Sequence, residues 1–294
     1  MALIIWIVCQ NLVSIIAGVL IVPIFKDVLT ESEFNLITMI ITMLSGLLLG
    51  SLFIFSYTNK NEKIAKKKLS LVKKIEIIFI GIFLIGIVQI TLPYLYELFN
   101  LEYLVGDIIP YKAQENIFTD ILLVICISII PGIFEELFFR KAIMDYSNKI
   151  GKVFAVILSS IIFSVVHMNI AQSMFALEMG IIFGIIYAVT GDIVLTMILH
   201  LLNNGYSAIC SIFMYNSSAI DIIMKIALLF VIIGALVVIK NIYINREKIK
   251  NINLKKINKL NLSEYKYLFC DYTFLLSTGV IIILFALTEK MLVL

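Results

Sequence analysis

The sequence predicts an all-α, polytopic transmembrane helix bundle of eight or nine spans, and two observations predict it. Hydrophobic residues make up 62% of the 294 residues and charged residues 15%, with a mean hydropathy of +1.08. A soluble domain of this size runs at about 45–50% apolar and about 25% charged, so one soluble core does not hide this much apolar surface. The apolar residues also fall in long blocks, and a helix needs about 20 of them to cross a bilayer. Irregular backbone and open sheet edges do not face lipid, which leaves helices.

The first block, 3–25, lacks a basic start and is longer than a signal core, so it reads as a retained helix. Blocks 36–57 and 75–96 are plain second and third spans. Isolated Gln10, Asn11 and Gln89 in these helices read as interhelical hydrogen-bonding groups. Block 117–139 is the fourth span. Blocks 154–166, 174–189 and 193–212 are shorter or more polar and form spans five to seven. Block 222–239 is the eighth, and 272–287 is the weakest candidate, a ninth. Gly46 with Gly50, and Gly180 with Gly184, place small residues one turn apart and predict close helix packing. No Pro/Gly/Ser-rich linker divides the chain, so 1–294 reads as a single membrane domain.

Charge sets the expected orientation. Segment 59–74 carries Lys60, Lys63, Lys66, Lys67, Lys68, Lys73 and Lys74, and segments 140–152 and 240–266 are basic too. Connections 26–33 and 97–115 are acidic. With nine helices the two sets alternate and place the N-terminus in the cytoplasm. The basic clusters adjoin spans, so they read as loops touching anionic membrane lipid, with no nucleic acid as partner. Cys9, Cys126, Cys210 and Cys270 form no C-x-x-C pair, which argues against a disulfide framework or a zinc knuckle.

The chemistry-bearing residues lie between Pro131 and Asn204. Glu135 and Glu136 sit side by side in an apolar run, where ionisable groups face a cavity or a partner. Glu136 and Arg140 are four apart and share a helix face, while Glu135 points about 100° away. This predicts a division of labour, with Glu136 held by Arg140 and Glu135 available for acid–base work. Phe163 leads to His167 four residues on, and His200 to Asn204 four residues on; these are the chain's two histidines. Glu135 lies sixteen residues before Gly151 and His167 sixteen after it, so two ideal helices would bring them to one height, about 24 Å from the turn. Thr190-Gly191-Asp192 reads as a helix stop followed by an N-cap. His200 would then stand about 13 Å from that turn, and the four–five hairpin would protrude roughly 10 Å beyond the six–seven hairpin, carrying Lys141, Asp145 and Lys149 into the cytoplasm. Two imidazoles and the Glu135 carboxylate also suit a zinc ion (Zn2+) with one position left for water, and Asn204 suits a developing oxyanion. H-E-x-x-H and G-x-S-x-G are absent.

In order and spacing, Glu135-Glu136-x-x-x-Arg140, Phe163-x-x-x-His167 and His200-x-x-x-Asn204 resemble the three motifs of the CAAX protease and bacteriocin-processing family, which includes the type II CAAX prenyl proteases. The likeness covers 117–212, on predicted helices four to seven. It implies an intramembrane endopeptidase of metallo- or glutamate type acting on a protein or peptide, lipidated or plain. It also implies that Glu135 and His167 activate water while His200 and Asn204 bind an oxyanion or a metal, with Glu135, His167 and His200 as the metal set. The expected reaction has a peptide reaching the site from the cytoplasmic side or laterally from lipid. A membrane immunity or scaffold protein that binds a peptide without cutting it is the alternative. A proton-coupled transporter fits less well, because the chain shows no repeat halves.

Overall fold

In the computed structural model the described residues are 2–17, 19, 22–25, 28–58, 63–98 and 116–250. They form eight main helices: α1 Ala2–Ile16, α2 Glu31–Tyr57, α3 Leu71–Leu98, α4 Ile117–Ser147, α5 Lys152–Val165, α6 Ile170–Thr190, α7 Ile193–Phe213 and α8 Ser217–Lys250. No strand occurs among the described residues, so the all-helical expectation holds. By length and composition α2, α3, α4, α6, α7 and α8 each contain a segment able to cross a membrane, while α1 and α5 are shorter apolar helices. The ninth expected span lies outside the described residues.

Sequence signals fix the helix starts at one end of the bundle. Thr30 and Glu33 form a reciprocal capping box on α2, each side chain taking the other's backbone N–H. Asn116 caps α4 by accepting from Thr119 N at 2.9 Å, and its amide donates to Glu33 Oε1 at 3.0 Å, which ties the two helix starts together. The basic segments gather at the opposite end. Lys66 and Lys74 both reach Asp192, Lys73 and Lys240 both reach Glu76, and Lys141 pairs with Asp145.

Segment 63–70 forms a strap across this basic end. Ile64 N donates to the buried Asp145, and Lys67 N donates to Thr190 O at the end of α6. Gly191 closes α6 at φ 65°, and a Cβ there would stand 2.3 Å from Ala65 O, so both the left-handed turn and the strap's close approach require glycine. Asp192 occupies the N-cap position of α7 without capping it; Lys66 and Lys74 take its carboxylate, each at 2.8 Å.

Three of the four paired glycines make the expected close contacts, and Gly50 is buried. A Cβ on Gly180 would meet Ser160 Cα, one on Gly184 would meet Val156, and one on Gly46 would enter the Trp6 ring of α1. Asn11 departs from expectation, because its amide bonds Ile7 O within its own helix.

The expected 10 Å protrusion is absent. Pairing of Val156 with Gly184 and Ser160 with Gly180 sets α5 against α6 so that the two hairpins end level, and Lys152 Nζ reaches Ala188 O. Asp145 is accordingly buried against Tyr187 rather than carried into water. Part of the cause is the non-helical turn 148–151, which adds residues without helical rise, and part lies in α4. From Ile125 to Met144 it is mostly π-helical, in the runs Ile125–Ile129, Pro131–Glu135 and Leu137–Met144. Hydrogen bonds closed over five residues widen a helix and shorten its rise. Ser159 Oγ donates to Phe139 O, so a residue twelve before Gly151 stands level with one eight after it.

Candidate functional site

The two adjacent carboxylates leave α4 in different directions, and their surroundings differ. Glu136 is fully buried, with its Oε2 3.2 Å from Arg140 Nε in an ion pair of which neither side chain is exposed. The Arg140 guanidinium lies 4.7 Å from the Phe163 ring centre, 5.4 Å from Phe183 and 6.0 Å from Phe139. These rings face the cation where Nη1 and Nη2 have no hydrogen-bond acceptor among the described residues. The second oxygen of Glu136 stands 2.9 Å from His200 Nδ1. An ionised carboxylate only accepts, so Nδ1 carries the hydrogen and Nε2 points onward.

His200 Nε2 faces Glu135. The separation from Glu135 Oε2 is 3.7 Å, wider than a hydrogen bond, and Glu135 keeps 14% of its side chain exposed. Among the described residues Glu135 has no cation within hydrogen-bond distance, whereas its neighbour is held by Arg140 and His200.

His167 follows the end of α5. Its Nδ1 lies 2.7 Å from Phe163 O, and because a carbonyl only accepts, Nε2 is the nitrogen left for other partners. Phe163 stacks edgewise on both histidines, at 5.0 Å from His167 and 5.9 Å from His200. The chain then turns through Met168 at φ 49°, a left-handed conformation uncommon for a residue with a Cβ, before Asn169 caps α6.

Glu135, Phe163, His167, His200 and Asn204 all line one cavity of about 660 Å³. The structure thus brings together all four residues predicted to be catalytic, with Phe163 beside them and Glu136 and Arg140 behind. The cavity also takes in Gln89 and Asn203. Asn203 lies three residues from His200, outside the four-residue motif spacing, and Gln89 makes the interhelical hydrogen bond expected of it, to Asn203 at 3.0 Å. The one signal that marked them was polarity inside an apolar helix.

His200 lies nine residues past Gly191, in the half of the bundle nearer the basic end, as expected. From there the cavity runs the other way, to Pro93, Tyr96 and Gln172 near the far ends of α3 and α6. The expected metal set does not assemble. Among the described residues no three His, Cys, Asp or Glu side chains lie close enough to hold one ion; Glu135 and His200 face each other as a pair.

The segment that carries these residues is similar to known proteins. Residues 117–206 match the family model described as "Type II CAAX prenyl endopeptidase Rce1-like", which takes in every motif residue from Glu135 to Asn204. A Bacillus subtilis (strain 168) protein named "Putative membrane peptidase YdiL" is 35% identical over 89 residues, 30% of this chain and 36% of its own length. The match thus spans about a third of that relative. No solved structure matches the chain.

Proposed function

We propose, from the match of residues 117–206 to the type II CAAX prenyl endopeptidase family model, that this protein is an intramembrane endopeptidase cutting membrane-associated peptides. The observation that carries the reading is the asymmetry of the two carboxylates. Glu136 is held by Arg140 and His200, while Glu135 faces the cavity across 3.7 Å from His200 Nε2.

A water held by the His167 Nε2 lone pair and Glu135 attacks the scissile carbonyl carbon. Its proton passes to Glu135, and a C–O bond forms as the carbonyl electron pair moves to oxygen. The oxyanion takes hydrogen bonds from the Asn204 amide and from His200 Nε2 when that ring is doubly protonated. Collapse breaks the C–N bond, and Glu135 returns the proton to the leaving amine. Glu136 sets the tautomer and tilt of His200 through Nδ1, in the way a buried carboxylate orients a catalytic imidazole.

The N-terminus and the basic end lie in the cytoplasm, where Lys and Arg are retained. Peptide, plain or lipidated, enters where the cavity runs out beside Pro93, Tyr96 and Gln172, or laterally from lipid.

The test is cleavage of a peptide library by purified protein in nanodiscs, with Glu135→Ala and a chelator in parallel samples. Cleavage lost in the variant is expected. Undiminished cleavage by Glu135→Ala would overturn the assignment, and the chelator arm decides whether an ion such as zinc takes part.

A further inference from the structure

We propose that Gln89 and Asn203 are positioning residues that fix which way the Asn204 amide faces. The inference rests on the peptidase reading above and extends it to α3, outside the segment 117–206.

Three amides on two helices form one chain of hydrogen bonds. Gln89 Nε2 donates to Asn203 Oδ1 at 3.0 Å, Asn203 Nδ2 to Asn204 Oδ1 at 2.9 Å, and Asn204 Nδ2 to Ile127 O at 2.9 Å. The last acceptor sets the direction of the rest. A backbone carbonyl cannot donate, so the nitrogen of Asn204 must face α4. Its oxygen then faces Asn203, which must donate, and the oxygen of Asn203 in turn requires a donor from Gln89.

The consequence falls on the cavity. A primary amide turned by 180° exchanges its donor and acceptor ends, and nothing in Asn204 itself prevents that turn. With the chain in place, turning Asn204 breaks its bond to Ile127 and sets two like groups against each other at Asn203. Asn203 is nearly buried, so water does not readily replace the lost partner. Nδ2 has a second hydrogen with no acceptor among the described residues, on a side chain that lines the cavity. That hydrogen is the one a substrate oxygen requires.

Gln89→Met keeps the length and removes the donor. It lowers kcat by about tenfold with KM changed less than twofold, a smaller loss than removal of an oxyanion donor itself. Gln89→Glu donates only while protonated, so its kcat relative to wild type falls as pH rises. A raised KM at unchanged kcat would make Gln89 a substrate contact and overturn the proposal. So would a Gln89→Glu ratio that rises with pH. A second measurement needs no turnover: the side-chain amide NMR signals of protein labelled with 15N-asparagine. In Gln89→Met the signals of both Asn203 and Asn204 move while the melting temperature stays near wild type. An unmoved Asn204 signal overturns the relay even if wild type cuts peptides. Signals that move in a protein cutting nothing leave the relay standing and remove the peptidase reading.

Discussion

The strap and the bundle interior each bury a carboxylate, and they satisfy it by opposite means. At the strap, Asp192 is covered but lies at the end of the bundle, where Lys66 and Lys74 reach it from water; their side chains stay 58% and 32% exposed. In the bundle, Glu136 is met by Arg140, equally buried and enclosed by three aromatic rings, and by His200. The strap pairing is supplied by flexible lysines that water and salt screen. The interior pairing is built into the fold, and removing either partner strands a charge away from water. Glu135, one residue from Glu136, receives neither supply. Ionisable groups left this way at membrane depth mark function rather than stability.

The contrast breaks most visibly at Glu135. Glu135→Gln should cut turnover by about 10²–10⁴-fold, the usual reach of a general base, with the melting temperature unchanged. If that variant melts early while still cutting peptide, Glu135 belongs to the structural set. Arg140→Ala should act on the fold instead, costing about 3–5 kcal/mol by leaving Glu136 with the hydrogen bond from His200 but without the guanidinium, read as a large drop in melting temperature in nanodiscs. Between these lies sidedness. In oriented proteoliposomes, peptide added at the face opposite the basic loops should be cut faster than peptide added at the basic face, because the cavity runs toward Pro93 and Tyr96.

The smallest effect belongs to the strap. Asp192→Asn should cost at most about 1 kcal/mol after screening, and less in high salt. Burial raises the Asp192 carboxyl, and the two lysines outweigh that and hold it below its ordinary value. A carboxyl depressed in the folded state stabilises above its unfolded pKa and loses that contribution as pH falls through its folded one. Melting of wild type should therefore fall toward that of Asp192→Asn on acidification through and below the ordinary carboxylate range. A gap between the two that widens in acid would reverse the sign and remove the lysines as the cause.

Much of this was legible in the sequence for physical reasons. Hydropathy fixed the helical class because lipid permits few alternatives. The i, i+4 spacing of Glu136 and Arg140 fixed their pairing because both sit on one helix face. The three motifs led to a shared cavity. What was not legible depends on backbone geometry that no side chain announces. Heights computed at 1.5 Å per residue failed across the turn 148–151, which is not helical, and across Ile125–Met144, where the helix is wider and shorter. The role of Asp192 was misjudged because the lysines that claim it lie more than a hundred residues earlier in the chain. Gln89 and Asn203 stayed in the background because an amide in a membrane helix is ordinarily glue.

The π-helical stretch of α4 works as a vernier scale laid beside its neighbour. Eight graduations from Ser147, the last residue of α4, back to Phe139 coincide with seven from Lys152, the first of α5, forward to Ser159, so the two scales slip by one mark over this stretch. One such mark brings Glu136 to His200, and another brings Ile127 to Asn204. Dropping a single graduation between them would shift every later mark and turn a different side chain toward the cavity, without any change in which amino acids the motifs contain.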